Sequence, residues 1–164
     1  MLLSQLYTKL EKSSIFENFK SSNPDAFLCA GFFILNFKSQ IFDYSLDFKS
    51  NNKIFTFKIP VAGEIVMLEE DIIASQKPLE KITIDVQIDI NDLRESVEKE
   101  IYVKGIKSKL EEVIAVLQVH EGKEIWNITA MCEGFTIISI HIDPESGRIL
   151  KFEKKSLFDM VKKA

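Results

Sequence analysis

"AMCEGFTIISIHIDPESGRILKF", residues 130–152, is the stretch on which the reading of the fold turns. It gathers Cys132, His141, Asp143, Glu145 and Ser146, residue types that catalytic clusters use. Their order in the chain points to turns instead. Residues 136–142 form a run of β-branched side chains bounded by "CEGF" on one side and "DPESG" on the other. Such a run between turn-forming residues is a strand of a meander, with Pro144 and Gly147 setting the backbone of the second turn.

Working outward from there, residues 148–152 continue the meander as a fourth strand, and "SLFDMVKK" closes the chain as a short helix. Upstream, residues 113–119 and 125–131 are its first two strands, joined by "HEGKE". Before them "KITIDVQIDI" alternates Ile82, Ile84, Val86, Ile88 and Ile90 with polar residues, the two-residue period of a strand. A helix follows to about Val103, where Gly105 interrupts it. Asn91 or Asp92 is its expected cap, and Glu95 lies in its first turn. "IKSKLEE" is expected to add a turn or two.

The N-terminal half has a similar plan. Leu3, Leu6, Tyr7, Leu10, Ile15, Phe16 and Phe19 recur at helical spacing, predicting one amphipathic helix over 2–20 that "SSNPD" ends. Residues 26–37 read as a strand buried on both faces. Phe42, Tyr44, Leu46 and Phe48 alternate with Asp43, Ser45, Asp47 and Lys49, and Phe55, Phe57 and Ile59 repeat the pattern after a hairpin turn at "KSNNK". Residues 61–78 predict a short strand or helix plus an ordered connector. "FLCAGFFIL" from Phe27 and "AMCEGFTII" from Ala130 share Cys-x-Gly-Phe, which raises an internal duplication.

Composition narrows the function classes. Apolar residues make up 46% and charged residues 28%, the profile of a soluble globular chain. Apolar runs such as 30–35 and 113–117 fall far short of the roughly 20 residues that span a bilayer. The start "MLLSQLYTKLEKSSIF" lacks the features of a signal peptide, so a cytoplasmic location with reduced cysteines is expected. Net charge is −4, and the two arginines are Arg94 and Arg148, which disfavours nucleic acid as a partner.

Nucleophilic catalysis needs a thiol or hydroxyl beside an oriented base. The candidates are Cys29 and Cys132 with His120 and His141. If Met131 stands opposite Thr136, then Trp126 stands opposite His141, several residues from Cys132. At about 3.3 Å per strand residue that separation prevents a Cys132–His141 pair. No Cys-x-x-Cys, His-x-x-x-His or acidic calcium loop occurs, and no glycine-rich phosphate loop, so neither metal nor other cofactor is expected. Thirteen phenylalanines and one tryptophan exceed what a small core needs. A minority is expected to line a concave apolar sheet face, closed by the N-terminal helix, with Trp126 and His141 as the candidate binding residues.

"WNIT" followed by "IHIDPESGRILKF" resembles PepSY-type domains, whose strands end in an Ile-Asp-x-x-(Ser/Thr)-Gly-x-(Ile/Val) turn. Ile142, Asp143, Ser146, Gly147, Arg148 and Ile149 carry that resemblance. The whole chain, from the amphipathic helix through "NPDAFLCAGFFIL" to "SLFDMV", also resembles a family of small archaeal proteins with this ending. The resemblance implies a binding or inhibitory module, of a kind often exported or attached to membrane proteins and peptidases.

The expected fold is therefore α+β, PepSY- or cystatin-like: antiparallel meander strands in one sheet or two, with helices on one face and two α-β-β-β halves. A single domain, 1–164, is expected to comprise a half at 1–60, a connector at 61–80 and a PepSY-like half at 81–164. The expected function is a non-catalytic binding or protein-interaction module, with a protein or peptide partner or a second copy joined at an exposed strand edge. A small acidic chaperone-like adaptor is the alternative, and a thiol-dependent enzyme using Cys132 or Cys29 stands behind both.

Overall fold

The structure is a computed structural model that describes residues 1–72 and 78–156. Among those residues the helices are α1 (Leu3–Glu11), α2 (Ser14–Ser22) and α3 (Ile90–Val103). The strands are β1 (Phe27–Asn36), β2 (Ile41–Ser50), β3 (Lys53–Lys58), β4 (Val66–Asp71), β5 (Leu110–His120), β6 (Lys123–Cys132), β7 (Thr136–Ile142) and β8 (Ile149–Ser156). All eight form one sheet in the order β4-β3-β2-β1-β5-β6-β7-β8, and every neighbouring pair is antiparallel. The fold is α+β, and of the one or two antiparallel sheets expected the described residues form one. The terminal helix expected over "SLFDMVKK" falls almost wholly outside the described residues.

The helices cover one face of this sheet. α1 buries Leu3, Leu6 and Leu10, α2 buries Phe16 and Phe19, and α3 buries Ile90, Leu93, Val97 and Ile101. Against them stand the inward residues of the strands, among them Phe33, Leu46, Phe57, Leu117, Trp126 and Ile140. Much of the phenylalanine surplus is spent here. Phe16 lies 5.2 Å from Phe48 and 5.4 Å from Phe57 between ring centroids, and Phe19 lies 4.9 Å from Phe55. Aromatic pairs at such distances add to the area they bury.

The single helix expected over 2–20 is two. Ser13 divides them: its hydroxyl donates to Leu10 O at 2.6 Å and accepts from Phe16 N at 3.3 Å. One side chain thus ends α1 and caps α2, satisfying helix-end groups that would otherwise lack partners. The cap of α3 is Asp89, where Asn91 or Asp92 was expected. Its Oδ1 accepts from Ile90 N at 2.7 Å and also from Leu3 N at 2.9 Å, so one carboxylate serves the first turns of α3 and α1. Asp92 takes the reciprocal place, accepting from Asp89 N at 2.8 Å.

The strand expected over "KITIDVQIDI" is not part of the sheet. Residues 81–89 are irregular, and their backbone bonds go to scattered partners: Ile82 N to Leu28 O at 3.0 Å and Ile88 N to Pro144 O at 2.8 Å. The alternation is real, because Ile82 is buried and Ile84, Val86 and Ile88 pack against the core. A two-residue period records an extended chain lying on an apolar surface, and extension alone does not supply a ladder partner.

β4 makes the N-terminal half a helix-plus-four-strand unit, as the C-terminal half is, and β1 and β5 pair at the centre of the sheet. The Cys-x-Gly-Phe echo does not follow this correspondence. Cys29 lies in β1, whose counterpart is β5, whereas Cys132 ends β6. The echoed residues occupy unlike places in the two halves.

Candidate functional site

Because strand side chains alternate, each residue packed under the helices leaves its neighbours on the opposite face. On the β1–β4 wing that face presents Phe32 and Ile34, then Asp43, Ser45 and Asp47, then Thr56 and Lys58, then Val66, Leu68 and Glu70. Register sets them in rows across the strands. Asp47, Thr56 and Leu68 form one row, and Phe32, Ser45, Lys58 and Val66 the next. Together they line a groove of about 730 Å³, within the usual size of ligand sites. Phe32 is 38% exposed there, Leu68 46% and Val66 49%.

Asp47 is the half-buried acid of this groove. Thr56 Oγ1 donates to its Oδ1 at 2.7 Å. Burial raises its pKa above the ordinary carboxylate range; the Thr56 bond opposes the rise and the charge of Glu70 adds to it. Among the described residues no salt bridge reaches Asp47. Beside it, a bulge in β1 between Leu28 and Ala30 releases Cys29 from the ladder, and the thiol donates to Asp47 O at 3.4 Å. Burial and the Asp47 charge push the Cys29 thiol up to about 12.

The candidate pair Trp126 and His141 is not brought together. β6 and β7 close with Cys132 opposite Thr136, which sets His141 opposite Asn127 and Trp126 opposite Ile142. This is one residue away from the expected register, and one residue exchanges the faces. Trp126 is fully buried under the helices, its ring 5.7 Å from Phe33 and its indole N–H donating to Ile88 O at 2.7 Å. His141 is on the open face, its ring 5.8 Å from that of His120. Burial, then Lys151 and His120, lower its pKa.

The same register separates Cys132 from His141, since Cys132 is buried on the helix side. Burial and the charge of Glu111 raise the Cys132 pKa. "DPESG" is a turn, as its composition predicts. Asp143 accepts from Glu145 N and from the Ser146 hydroxyl, each at 3.0 Å, and its pKa is lowered, first by the Glu145 bond. No group of three or more metal-ligating side chains occurs among the described residues.

The β1–β4 groove is on the face that α1 and α2 leave open, so the N-terminal helices do not close it. The outward set Asp43, Ser45 and Asp47 was legible from its alternation with Phe42, Tyr44, Leu46 and Phe48. Val66, Leu68 and Glu70 were missed. Their signal was a short alternation in "IVMLEED", too brief to assign a neighbour in the sheet.

No protein-family model matches the chain, and no curated protein matches it in sequence. Among solved structures it is similar to the crystal structure of a protein from Clostridium difficile 630 that is assigned by inference as a lipoprotein. The TM-score is 0.55 with 16% identity, over 86% of this chain and 90% of that one. At that identity the likeness is one of fold.

Proposed function

We propose that the chain is a non-catalytic protein-interaction module that takes a partner protein or peptide on the open face of its sheet, with the β1–β4 groove as the seat. One observation carries this reading. Phe32 on β1 and Val66 and Leu68 on β4 are all exposed on the lining of one groove, where single exposed apolar residues on a surface would mean nothing. The thiol chemistry that would compete with it is poorly served, because both cysteines are buried with raised pKa values and catalysis requires the thiolate.

A small acidic chaperone-like adaptor would use the same groove for many partners in place of one. The PepSY-type turn at Ile142–Ile149 fits a binding module and stays part of the proposal, as do the cystatin-like comparison and an archaeal relationship. A cytoplasmic location belongs to it as well. No helix among the described residues is long and apolar enough to cross a membrane. The inferred lipoprotein status of the structural neighbour suggests a tethered form as the alternative, and fractionation of host cells separates the two.

A photo-crosslinking residue placed at Phe32, at Leu68 and at Tyr102 tests the seat. Tyr102 is 85% exposed on α3, away from the groove. The same crosslinked partner is expected from Phe32 and Leu68 and not from Tyr102. Equal crosslinking from all three positions, or none from the groove, refutes the reading.

A further inference from the structure

Resting on the groove as the binding seat, we propose that its occupant is an extended, basic segment of a partner protein whose groove-facing residues mix apolar side chains with lysine or arginine. The lining carries the carboxylates of Asp43, Asp47, Glu64 and Glu70 against one cation, Lys58. None of the four takes part in a salt bridge among the described residues. An anionic or neutral ligand would leave these charges unmatched while removing water from them. A cation placed among them gains charge-assisted hydrogen bonds in a partly desolvated site.

Charge alone does not describe the groove. Phe32, Val66 and Leu68 offer apolar surface that a bare polyamine would cover without gain. A lysine or arginine side chain suits both parts, because its methylene stem lies on apolar surface while its head reaches a carboxylate. Spacing favours an extended segment. Val66, Leu68 and Glu70 are successive outward positions of β4, two residues and therefore about 6.6–6.8 Å apart. An extended peptide running along β4 repeats its own same-face side chains at that interval. Two apolar residues followed by a cation would meet Val66, Leu68 and Glu70 in step, with Asp47 two strands farther in.

Fluorescence anisotropy of the full chain with labelled peptides of Val-Ser-Val-Ser-Lys-Ser repeats tests this, against peptides in which glutamate or serine replaces the lysine. The lysine peptide is expected to bind at least about tenfold tighter than the other two, and to weaken as salt is raised. Asp47→Asn and Phe32→Ser are each expected to weaken it about tenfold, the loss of one charge-assisted bond or one apolar contact. Glu70→Gln, at an exposed position, should weaken the lysine peptide more than the serine peptide. Equal binding of lysine and serine peptides, with both weakened by Phe32→Ser, overturns the basic partner and leaves the groove standing. Absence of peptide binding while Phe32 still crosslinks a partner likewise overturns the basic segment alone. Loss of both signals removes both readings.

Discussion

Gly31→Ala sets two opposed effects against each other, and the structure says which should win. In a strand interior alanine in place of glycine reduces the entropy lost on folding, which by itself stabilises by about 0.5–1 kcal/mol. Gly31 is on the helix-covered face of β1, and a Cβ added there would be 2.7 Å from Phe33 Cζ and 2.8 Å from Phe33 Cε2. Those separations are closer than carbon atoms tolerate, so the ring must move. Phe33 is fully buried, 5.7 Å from Trp126 and 6.3 Å from Tyr44, so moving its ring disturbs packed neighbours. Overpacking of this kind costs about 1–3 kcal/mol. The net expectation is a destabilisation of about 1–2 kcal/mol, or roughly 2–8 °C in Tm for a chain of this length. Urea titration followed by fluorescence is a sharp assay, because Trp126 is the sole tryptophan and rests on the displaced ring. Its native emission should change as the midpoint falls with an unchanged slope. Adding Phe33→Leu should recover part of the loss, because the smaller side chain frees the space the Cβ needs. A neutral or stabilising Gly31→Ala would refute the account of Phe33 folded back over the glycine.

Asp89→Ala removes the acceptor for the first turns of both α1 and α3, so it should cost about 1–3 kcal/mol, more than one lost cap. Asp89→Asn should cost less than half as much by chemical denaturation, and equal losses would argue against the shared cap. Asp47 gives a test in pH. Its pKa is raised in the fold, so the native state holds this proton to a higher pH than the unfolded chain, whose value is near 3.8. Stability from this group therefore falls as pH rises from about 3.8 through the raised folded value, then levels off. Thr56, Glu70, Lys49 and Lys58 share its face, and solvent screening of a half-buried group keeps the effect small. Asp47→Asn should be the more stable protein at neutral pH, with the difference shrinking on acidification. A difference independent of pH would count against it. Cys29 and Cys132 should resist a thiol reagent at pH 8 in native protein and react in urea, whereas rapid labelling of the folded chain would contradict their buried, protonated state.

Much of the fold was legible because its signals are local. Phe42–Phe48 alternates with polar residues strictly enough to fix strand and face together, and "DPESG" states its own turn. What escaped depended on a loop or a partner. The turn between β6 and β7 uses Glu133, Gly134 and Phe135, with φ of +75° at Gly134 and +61° at Phe135. A left-handed phenylalanine leaves no mark in sequence, and without it the turn is read as four residues, 132–135, one too many. That slip alone carried His141 across to Trp126 in the expected pairing. The site was half legible for the same reason. Asp43 and Asp47 are readable as outward from β2 itself, but Val66 and Leu68 join them only because β4 folds back along β3. The Ser13 and Asp89 caps had signatures in place, Ser14-x-x-Glu17 near the first and Asp89-x-x-Asp92 at the second. Stronger helical and alternating patterns ran across both and obscured them.

The composition of the open face bears on whether anything is meant to cover it. A surface facing only water has no use for Phe32, Val66 and Leu68 gathered in one groove, since each exposed apolar side chain adds a tendency to associate. A surface permanently covered by the chain's own helices would not hold Asp47 and Glu70 without cations, because burying such carboxylates unpaired costs more than apolar contact returns. On the opposite face the buried core is almost wholly apolar and Asp89 is bonded to two backbone donors; Glu124, at its margin, accepts from Thr83 N through one oxygen and leaves the other without a partner. The open face satisfies neither extreme. On the proposed reading, its carboxylates keep it hydrated when empty and its apolar residues favour a partner that brings cations of its own. Permanent burial and permanent exposure both fit this mixture worse than intermittent cover by a charged partner.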